Sequence, residues 1–366
     1  MNLNYNEEQT MLREQIQKFC ESEYDFYKRE DIVKSSNDFD PNVWKLFADQ
    51  GWLSMPFTED SGGLGFGAIE LSILFEEFGK ALVIEPYLAT VVLSGTLIDK
   101  SSYSNKKDII DKICQGEKHI SLAYAEVDKS YDYLTPNTSL DSNNILNGAK
   151  TLVLNASNAD NLIVTCKKDN ELNLVIMDSS IDGISINSYS TIDGQSCSEI
   201  SFENVKLDAS NILSSGDEAE SLIKETINLA TLCISAEAVG LMESCYHKTL
   251  EYTKGREQFG QPISNFQVLQ HRMVDMFMQY EQSVSMTYMV NLKLDEDYAE
   301  RRKAASGAKV QIAKAAKFIG QSAVQLHGGM GMTDELNVGH YFKRLSMIEN
   351  SYGNIDHHLK KYSSTE

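Results

Sequence analysis

No stretch of this chain approaches the ~18 consecutive apolar residues of a membrane-spanning helix. The opening MNLNYNEEQTMLREQ places polar residues where a secretory leader would carry its apolar run, so a cytoplasmic protein without a membrane span is expected. None of the six cysteines (Cys20, Cys114, Cys166, Cys197, Cys233, Cys245) stands in a C-x-x-C pair. That spacing argues against zinc, a redox dithiol and a disulfide framework; no metal is expected, and free core thiols are. Positive charge is scarce: 33 Lys and Arg face 53 Asp and Glu, a net charge of −20, which speaks against nucleic acid as a partner. The deficit is uneven, with 17 against 34 in residues 1–215 and 16 against 19 in residues 216–366. A phosphate-bearing ligand is therefore expected to be met locally, in the C-terminal third. No internal repeat and no low-complexity segment is present.

What is there suffices for two or three packed units: 366 residues, 42% of them hydrophobic. Residues 5–34 carry helix-spaced Met11, Ile16 and Phe19, and DPNVWKLFADQGW opens with Asp40 as an N-cap and Pro41 at the first helical position. SMPFTEDSGGLGFG reads as a glycine-rich loop before AIELSILFEEFGKAL resumes the helical period. From 119 to about 207 the pattern changes to short apolar or alternating runs between Asn, Asp and Gly, as in NILNGAKTLVLNA, NLIVTC and LNLVIMD. These predict antiparallel strands of a sandwich or barrel. From 216 a helical period persists for roughly ten turns without proline, and residues 265–292 and 298–326 predict two further long helices. The expectation is an α+β multidomain chain with an all-α domain over 1–118, an antiparallel β domain over 119–215 and a helical bundle over 216–366.

Two stretches carry chemistry. In KGREQFGQPISNFQVLQHRMVDM, Gly255 and Gly260 bracket a turn between long helices with Arg256 as a cation near a helix end. In AVQLHGGMGMTDE, a helix ends in Gly328 and Gly329. Paired glycines let backbone amides approach a phosphate, and equally they merely end helices.

Taken in this order behind a strand region, the two stretches resemble the acyl-CoA dehydrogenase family, whose R-x-Q-F-G-x-P-I-x-x-F-Q corner and Q-x-x-G-G-x-G turn are nearly intact here. GWLSMPFTEDSGGLG, EEFGKALVIEPYL, GAKTLVLNASNAD and ISFENVKL extend the resemblance over the whole chain. AEAVG, LQHRMVDMF, VGHYFKRL and YGNIDHHL are similar to the small subunits of pimeloyl-CoA and heterotetrameric steroid side-chain dehydrogenases. The resemblance implies the family's three-part fold ending in a four-helix bundle. It also implies FAD as cofactor, an acyl-CoA substrate, and α,β-dehydrogenation to a 2-enoyl-CoA with hydride passing to flavin N5. Electron-transfer flavoprotein is the implied acceptor. Arg256, Gln258 and Phe259 match the corner that reaches the FAD of a neighbouring subunit, Arg256 on the pyrophosphate, where a guanidinium fork pairs two oxygens. Gln267 matches a further FAD contact. Gln325, Gly328 and Gly329 match the turn contacting the same cofactor, so at least a dimer is implied. Tyr124, Ala125 and Glu126 match the strand lining the flavin, with Ala125-Glu126-Val127 in place of Thr-Glu-Pro and Leu152-Val153-Leu154 in place of Trp-Ile-Thr.

The implied reaction needs a desolvated carboxylate to take a weakly acidic α-proton. Matching Gly353 to the glycine of the family's Tyr-Glu-Gly-Thr puts Tyr352 at the base position, and a phenol is in the wrong protonation class at neutral pH. The family's alternative position, on the helix before the Arg corner, is Ala230. Glu237, two turns on and nearly on the same face, is the candidate acid there; a structural carboxylate bonding a neighbouring helix or subunit is the favoured reading of it. Asp356 and Glu349 are weaker candidates.

The stretch RLSMIENSYGNIDHHLKKY crowds Glu349, Asp356, His357 and His358 together. Adjacent histidines point about 100° apart on a helix and share no metal easily. They are expected at a helix surface or interface, Asp356 as an N-cap or first-turn acid, and Gly353, Asn354 and Asp356 as a cofactor-end turn. Four outcomes follow from the missing base: a heteromer whose homologous large subunit supplies the Glu, a homo-oligomer using Glu237, a flavin-dependent reductase with Tyr352 as proton donor, or a subunit that only completes its partner's FAD site.

Overall fold

A computed structural model describes residues 5–35, 38–293 and 296–364. Helices come first: α1 (Glu7–Glu23), α2 (Phe26–Lys34), α3 (Pro41–Asp49), α4 (Ala68–Ala81), a π-helix over Leu88–Gly95, α5 (Thr96–Lys100) and α6 (Lys106–Cys114). Local chemistry sets their starts. Asn6 and Gln9 close a capping box on α1, and the Asp40 carboxylate accepts from Asn42 N at 2.8 Å ahead of Pro41. Of the three α1 residues at helical spacing, Ile16 and Phe19 are buried while Met11 is exposed.

The strands follow as β1 (Ile120–Ala123), β2 (Ser139–Leu140), β3 (Ile145–Leu154), β4 (Asn161–Lys168), β5 (Glu171–Asp178), β6 (Ile184–Ser190), β7 (Ser196–Lys206) and β8 (Ile212–Ser215). They form one sheet in the order β6-β7-β3-β2-β4-β5-β8, with β1 on β4. The pairing is not purely antiparallel as the strand pattern suggests: β1 and β2 both run parallel to β4. Parallel neighbours need long connections, and the chain between β1 and β4 holds two further strands, which no hairpin signal reveals. The sheet core is Leu146, Val153, Leu162, Val164, Val175 and Phe202 with Cys166 among them. A charged pair is buried beside it. Lys150 Nζ donates to Glu126 Oε1 at 2.7 Å and to Thr165 Oγ1 at 2.8 Å, and Glu126 also accepts from the backbone amides of Asn137 (2.7 Å) and Thr138 (3.0 Å). Burial drives the Lys150 ammonium down to about 8, and it works to raise the Glu126 carboxyl; Lys150 and the amides outweigh it and hold that carboxyl below its ordinary value.

The C-terminal helices are α7 (Gly216–Gly255), α8 (Gln267–Asn291), α9 (Tyr298–His327), α10 (Asn337–Asn350) and α11 (Ile355–Ser363). The three long helices expected are α7, α8 and α9; α10 and α11 are shorter. Contacts divide the chain into two compact units: Met1–Arg29 with Ala68–Val83 and Thr231–Glu366, and Glu30–Gly67 with Ile84–Ala230. In the first unit, α9 buries Ala304, Ala305, Ala308, Ala313, Ala315, Ala316 and Ala323, small side chains that let α8, α10 and α11 approach it closely. The same unit contains a tighter crossing. A Cβ on Gly79 of α4 would collide with the backbone carbonyl of Glu237 in α7, and one on Gly240 of α7 with that of Glu76 in α4.

Four of the cysteines are buried free thiols, while Cys20 and Cys114 are only half-buried. Among the described residues no helix is long and apolar enough to cross a membrane.

Because backbone rather than a flexible side chain blocks it, Gly240→Ala is expected to cost at least about 3 kcal/mol, the upper range for overpacking. Gly255→Ala, with no atom near its added methyl, should cost under about 1 kcal/mol. Denaturant unfolding of the two variants compares them.

Candidate functional site

The corner after α7 is a two-residue hairpin, β9 (Glu257–Gln258) against β10 (Gln261–Pro262), turning on Phe259 and Gly260. Both turn residues have positive φ, 56° and 81°, as a type I′ turn requires. Glycine accepts that readily; a phenylalanine there is strained, and this one is also 92% exposed, its ring edge-on to Phe266 at 6.0 Å. Arg256, Gln258 and Gln267 are exposed beside it. The tip therefore displays a guanidinium, an amide and a large apolar ring, a set suited to clamping an anionic group with an adjoining ring system.

The glycine turn lies next to this corner. Tyr252, on the last turn of α7, stacks on His327 at 4.1 Å between ring centroids and donates from its hydroxyl to the His327 carbonyl at 3.4 Å. Immediately after His327, Gly328 has φ 60°, and neither Gly328 nor Gly329 has any atom within 4 Å of where a Cβ would stand. Gln325 is exposed on the turn before. Arg256, Gln258, Phe259, Gln325, Gly328 and Gly329 thus belong to one end of the bundle.

Tyr352, Gly353, Asn354 and Asp356 belong elsewhere. The Gly353 carbonyl accepts from Lys309 Nζ at 3.0 Å, and Gln325 follows Lys309 by sixteen residues on α9, roughly 24 Å of helix. The turn has Tyr352 at φ 58° and Gly353 at φ 130°. Asn354 caps α11, accepting from His357 N at 2.9 Å, which leaves Asp356 as the exposed first-turn acid rather than the cap. Of the two histidines expected at a helix surface or interface, His358 does not lie at the surface and His357 is half-buried. His358 is 2% exposed, and a Cβ on Gly353 would stand 2.6 Å from its Nε2 and 2.5 Å from His357 Cδ2, so both rings pack under the turn. Burial pushes His357 down to about 4 and His358 to about 3, and the nearby Lys309 and Lys361 act in the same direction.

Glu237 is 6% exposed and held by Arg344 of α10, Nε on Oε1 at 2.5 Å and Nη2 on Oε2 at 2.7 Å. Both oxygens are occupied by a fixed guanidinium, the geometry of a structural carboxylate linking two helices. Residue type alone does not reveal the partner, although Arg344 lies within the motif VGHYFKRL. Ala230 is fully buried, and Glu349 lies on α10 with its carboxylate 3.6 Å from Lys317.

In the sheet unit, the Ala125 carbonyl accepts from Thr151 N at 3.0 Å, and the β3–β7 ladder slips between Lys150 and Val153. That bulge puts Leu152 at φ 52° and 53% exposed while Val153 stays buried. Tyr124 is half-buried with Tyr133 edge-on at 6.5 Å, and burial raises its phenol. Glu126 points inward to Lys150, while Tyr124 and Ala125, just past the end of β1, are half-buried.

Residues 6–117 match the family description "Acyl-CoA dehydrogenase, N-terminal domain" and residues 221–360 "Acyl-CoA dehydrogenase, C-terminal domain". A probable acyl-CoA dehydrogenase of Bacillus subtilis, YngJ, is 28% identical, the alignment covering 95% of each chain. Mitochondrial isovaleryl-CoA dehydrogenase of Solanum tuberosum is 25% identical over 95% of this chain and 87% of its own length. Among solved structures, the ChsE4-ChsE5 complex from Mycobacterium tuberculosis superposes with a TM-score of 0.89 at 22% identity, covering 99% of this chain and 97% of its own.

If Glu237 is structural, Glu237→Gln and Arg344→Met should each destabilise the folded chain by about 3–5 kcal/mol, as loss of one partner of a buried pair does. The double variant should lose clearly less than the sum, read from a double-mutant unfolding cycle. The histidines give a pH signature. Their folded pKa values lie below the ordinary 6.5, so below that pH the unfolded chain takes up protons that the folded chain refuses. Stability is whole above about pH 6.5 and falls as pH drops toward 4; thermal midpoints of the parent and of His358→Gln should converge over that window.

Proposed function

The chain belongs to the acyl-CoA dehydrogenase family, and on that premise we propose that it is an FAD-dependent acyl-CoA dehydrogenase subunit whose catalytic carboxylate comes from a homologous partner chain. One observation carries the second half: neither family base position holds a carboxylate, and the acid nearest them on α7 is engaged. Tyr352 and Ala230 hold the two family positions, and Glu237 is locked to Arg344.

The residues present fit the cofactor. Arg256 is exposed at the tip of the hairpin to pair pyrophosphate oxygens, and the open Gly328-Gly329 turn lets backbone amides approach phosphate without a Cβ in the way. Gln258, Phe259, Gln267 and Gln325 would flank it. The backbone of Tyr124 and Ala125 would line the ring system beside the Leu152 bulge, and Gly353, Asn354 and Asp356 would form a further cofactor-facing turn. Bound FAD supplies the hydride acceptor. The separation along α9 supports a shared arrangement, since one chain's two sets lie too far apart to grip one end of a single molecule. They suit two sites in an oligomer, each completed by a neighbour. The strained Phe259 is in keeping with the same reading, since backbone strain of this kind clusters at ligand clamps.

What the chain does to substrate follows from its side chains. Removing the α-proton of a thioester needs a desolvated carboxylate aimed at it. Tyr352 leaves its backbone in place at that turn and contributes no base, so a partner's Glu completes the pair. Electron-transfer flavoprotein is the acceptor this reading implies.

Purified alone, the chain should bind flavin weakly or incompletely and show no bleaching of the flavin spectrum by acyl-CoA. Co-purified with a homologous large subunit it should be yellow and bleach with one member of an acyl-CoA panel. Fast bleaching by the lone chain would overturn the heteromer.

A further inference from the structure

Lys309 is the most deeply buried ammonium of the bundle's centre, 0% exposed on α9, and nothing in the reading above uses it. Its three N–H bonds meet three backbone carbonyls: Ile348 at 2.8 Å, Glu349 at 3.2 Å and Gly353 at 3.0 Å. The first two belong to the last turn of α10, whose final carbonyls have no partner within the helix. The third belongs to the turn that follows. We propose that Lys309 is a positioning residue, which pins the Tyr352-Gly353 turn to the end of α10 and so sets where that turn presents its backbone to the reacting end of the substrate. The proposal rests on the functional reading above, because only that reading gives the turn a substrate to face.

A lysine kept only to fill space would be a poor choice here. Burying an ammonium costs several kcal/mol, and an apolar residue of similar length fills the volume without that cost. The charge earns retention through direction: three short donors fix three acceptors that sit on two different segments. The turn needs fixing. Tyr352 and Gly353 both hold positive φ, and a non-glycine residue in that region relaxes unless its surroundings forbid it. The remaining sides are already closed, by His357 and His358 packed under Gly353 and by the Asn354 cap on α11. Lys309 is the clamp from α9. The titratable groups facing it are Glu349 on α10 and His357 and His358 on α11. Burial pushes its pKa down to about 7 while Glu349 opposes, so the ammonium, with its three donors, holds the turn on the acid side of that value, and the neutral amine, with two, holds it less tightly above.

The test uses the full chain with its flavin and whatever partner it requires. In Lys309→Met, amide hydrogen exchange at residues 351–355 should accelerate by about tenfold or more while α8 amides stay at parental rates. Flavin content should be retained, and the rate of flavin bleaching at saturating acyl-CoA should fall by roughly tenfold to a hundredfold with half-saturation unchanged. Lys309→Gln, which keeps two donors, should fall between parent and Met. Gly353→Ala, which drives a methyl into the two histidines, should loosen the same turn from its other side. Unchanged exchange at 351–355, or acceleration spread evenly through the bundle, overturns the proposal, as does failure of all three variants to fold, which would make the residue a folding element. If no acyl-CoA bleaches the parent protein, the dehydrogenase reading falls, and the exchange measurement still decides whether Lys309 clamps the turn.

Discussion

The backbone contact between α4 and α7 at Gly79 and Gly240 governs much of the first unit. Two helices that touch main chain to main chain leave no room between them, and every long side chain near the crossing must leave along the edges. Those side chains are charged: Glu76 and Glu77 on α4, and Glu237 and Glu243 on α7. Each finds a cation from a neighbouring helix. Arg13 of α1 reaches Glu76 and, at 2.7 Å, Glu77; Lys80 reaches Glu77 at 3.0 Å and Glu243 at 3.1 Å; Arg344 of α10 takes Glu237. Burial still lifts the Glu76 carboxyl above its usual range despite Arg13 and Lys80. A glycine notch thus dictates a ring of ion pairs, and the ring gives α1, α4, α7 and α10 their registers.

The same constraint bears on Glu237, the acid of α7 nearest the register of Ala230. The one acid on α7 that periodicity offers is drawn into the same ring and closed by a guanidinium. A carboxylate engaged at both oxygens orients helices; it does not accept a proton from carbon without first breaking two charge-assisted bonds. The site's chemistry and the packing of the bundle compete for the same residue type, and here packing holds it.

Much of this is legible in the sequence, for identifiable reasons. The long helices carry apolar residues at a 3.6 period over many turns, and the strands carry them as short continuous or alternating runs between turn residues, so element type is redundant in the chain. Asp40-Pro41 marks a helix start by local hydrogen bonding alone. What was not legible depends on distant partners. β2 and β8 are too short to show a period, and the parallel pairing on β4 is a property of the sheet. His358 looks like a solvent-facing neighbour of Leu359, yet His358 is buried and Leu359 is 47% exposed, because Gly353 admits an imidazole edge that no other residue would leave room for. Lys309 does carry a signal: it falls in register with Ala305, Ile312, Ala313 and Ala316 on the buried face of α9, whereas Lys314 and Lys317 do not. A lysine in an apolar register calls for a set of acceptors, and those acceptors are backbone atoms no side-chain pattern announces.

The hairpin tip has one more implication. Phe259 is held in a strained turn with nearly all of its surface open to water, so an unassembled chain wears a conspicuous hydrophobic flag. On the heteromer proposed above, a chain without its partner would leave that ring in water, and the hairpin tip would be the first place to look for self-association.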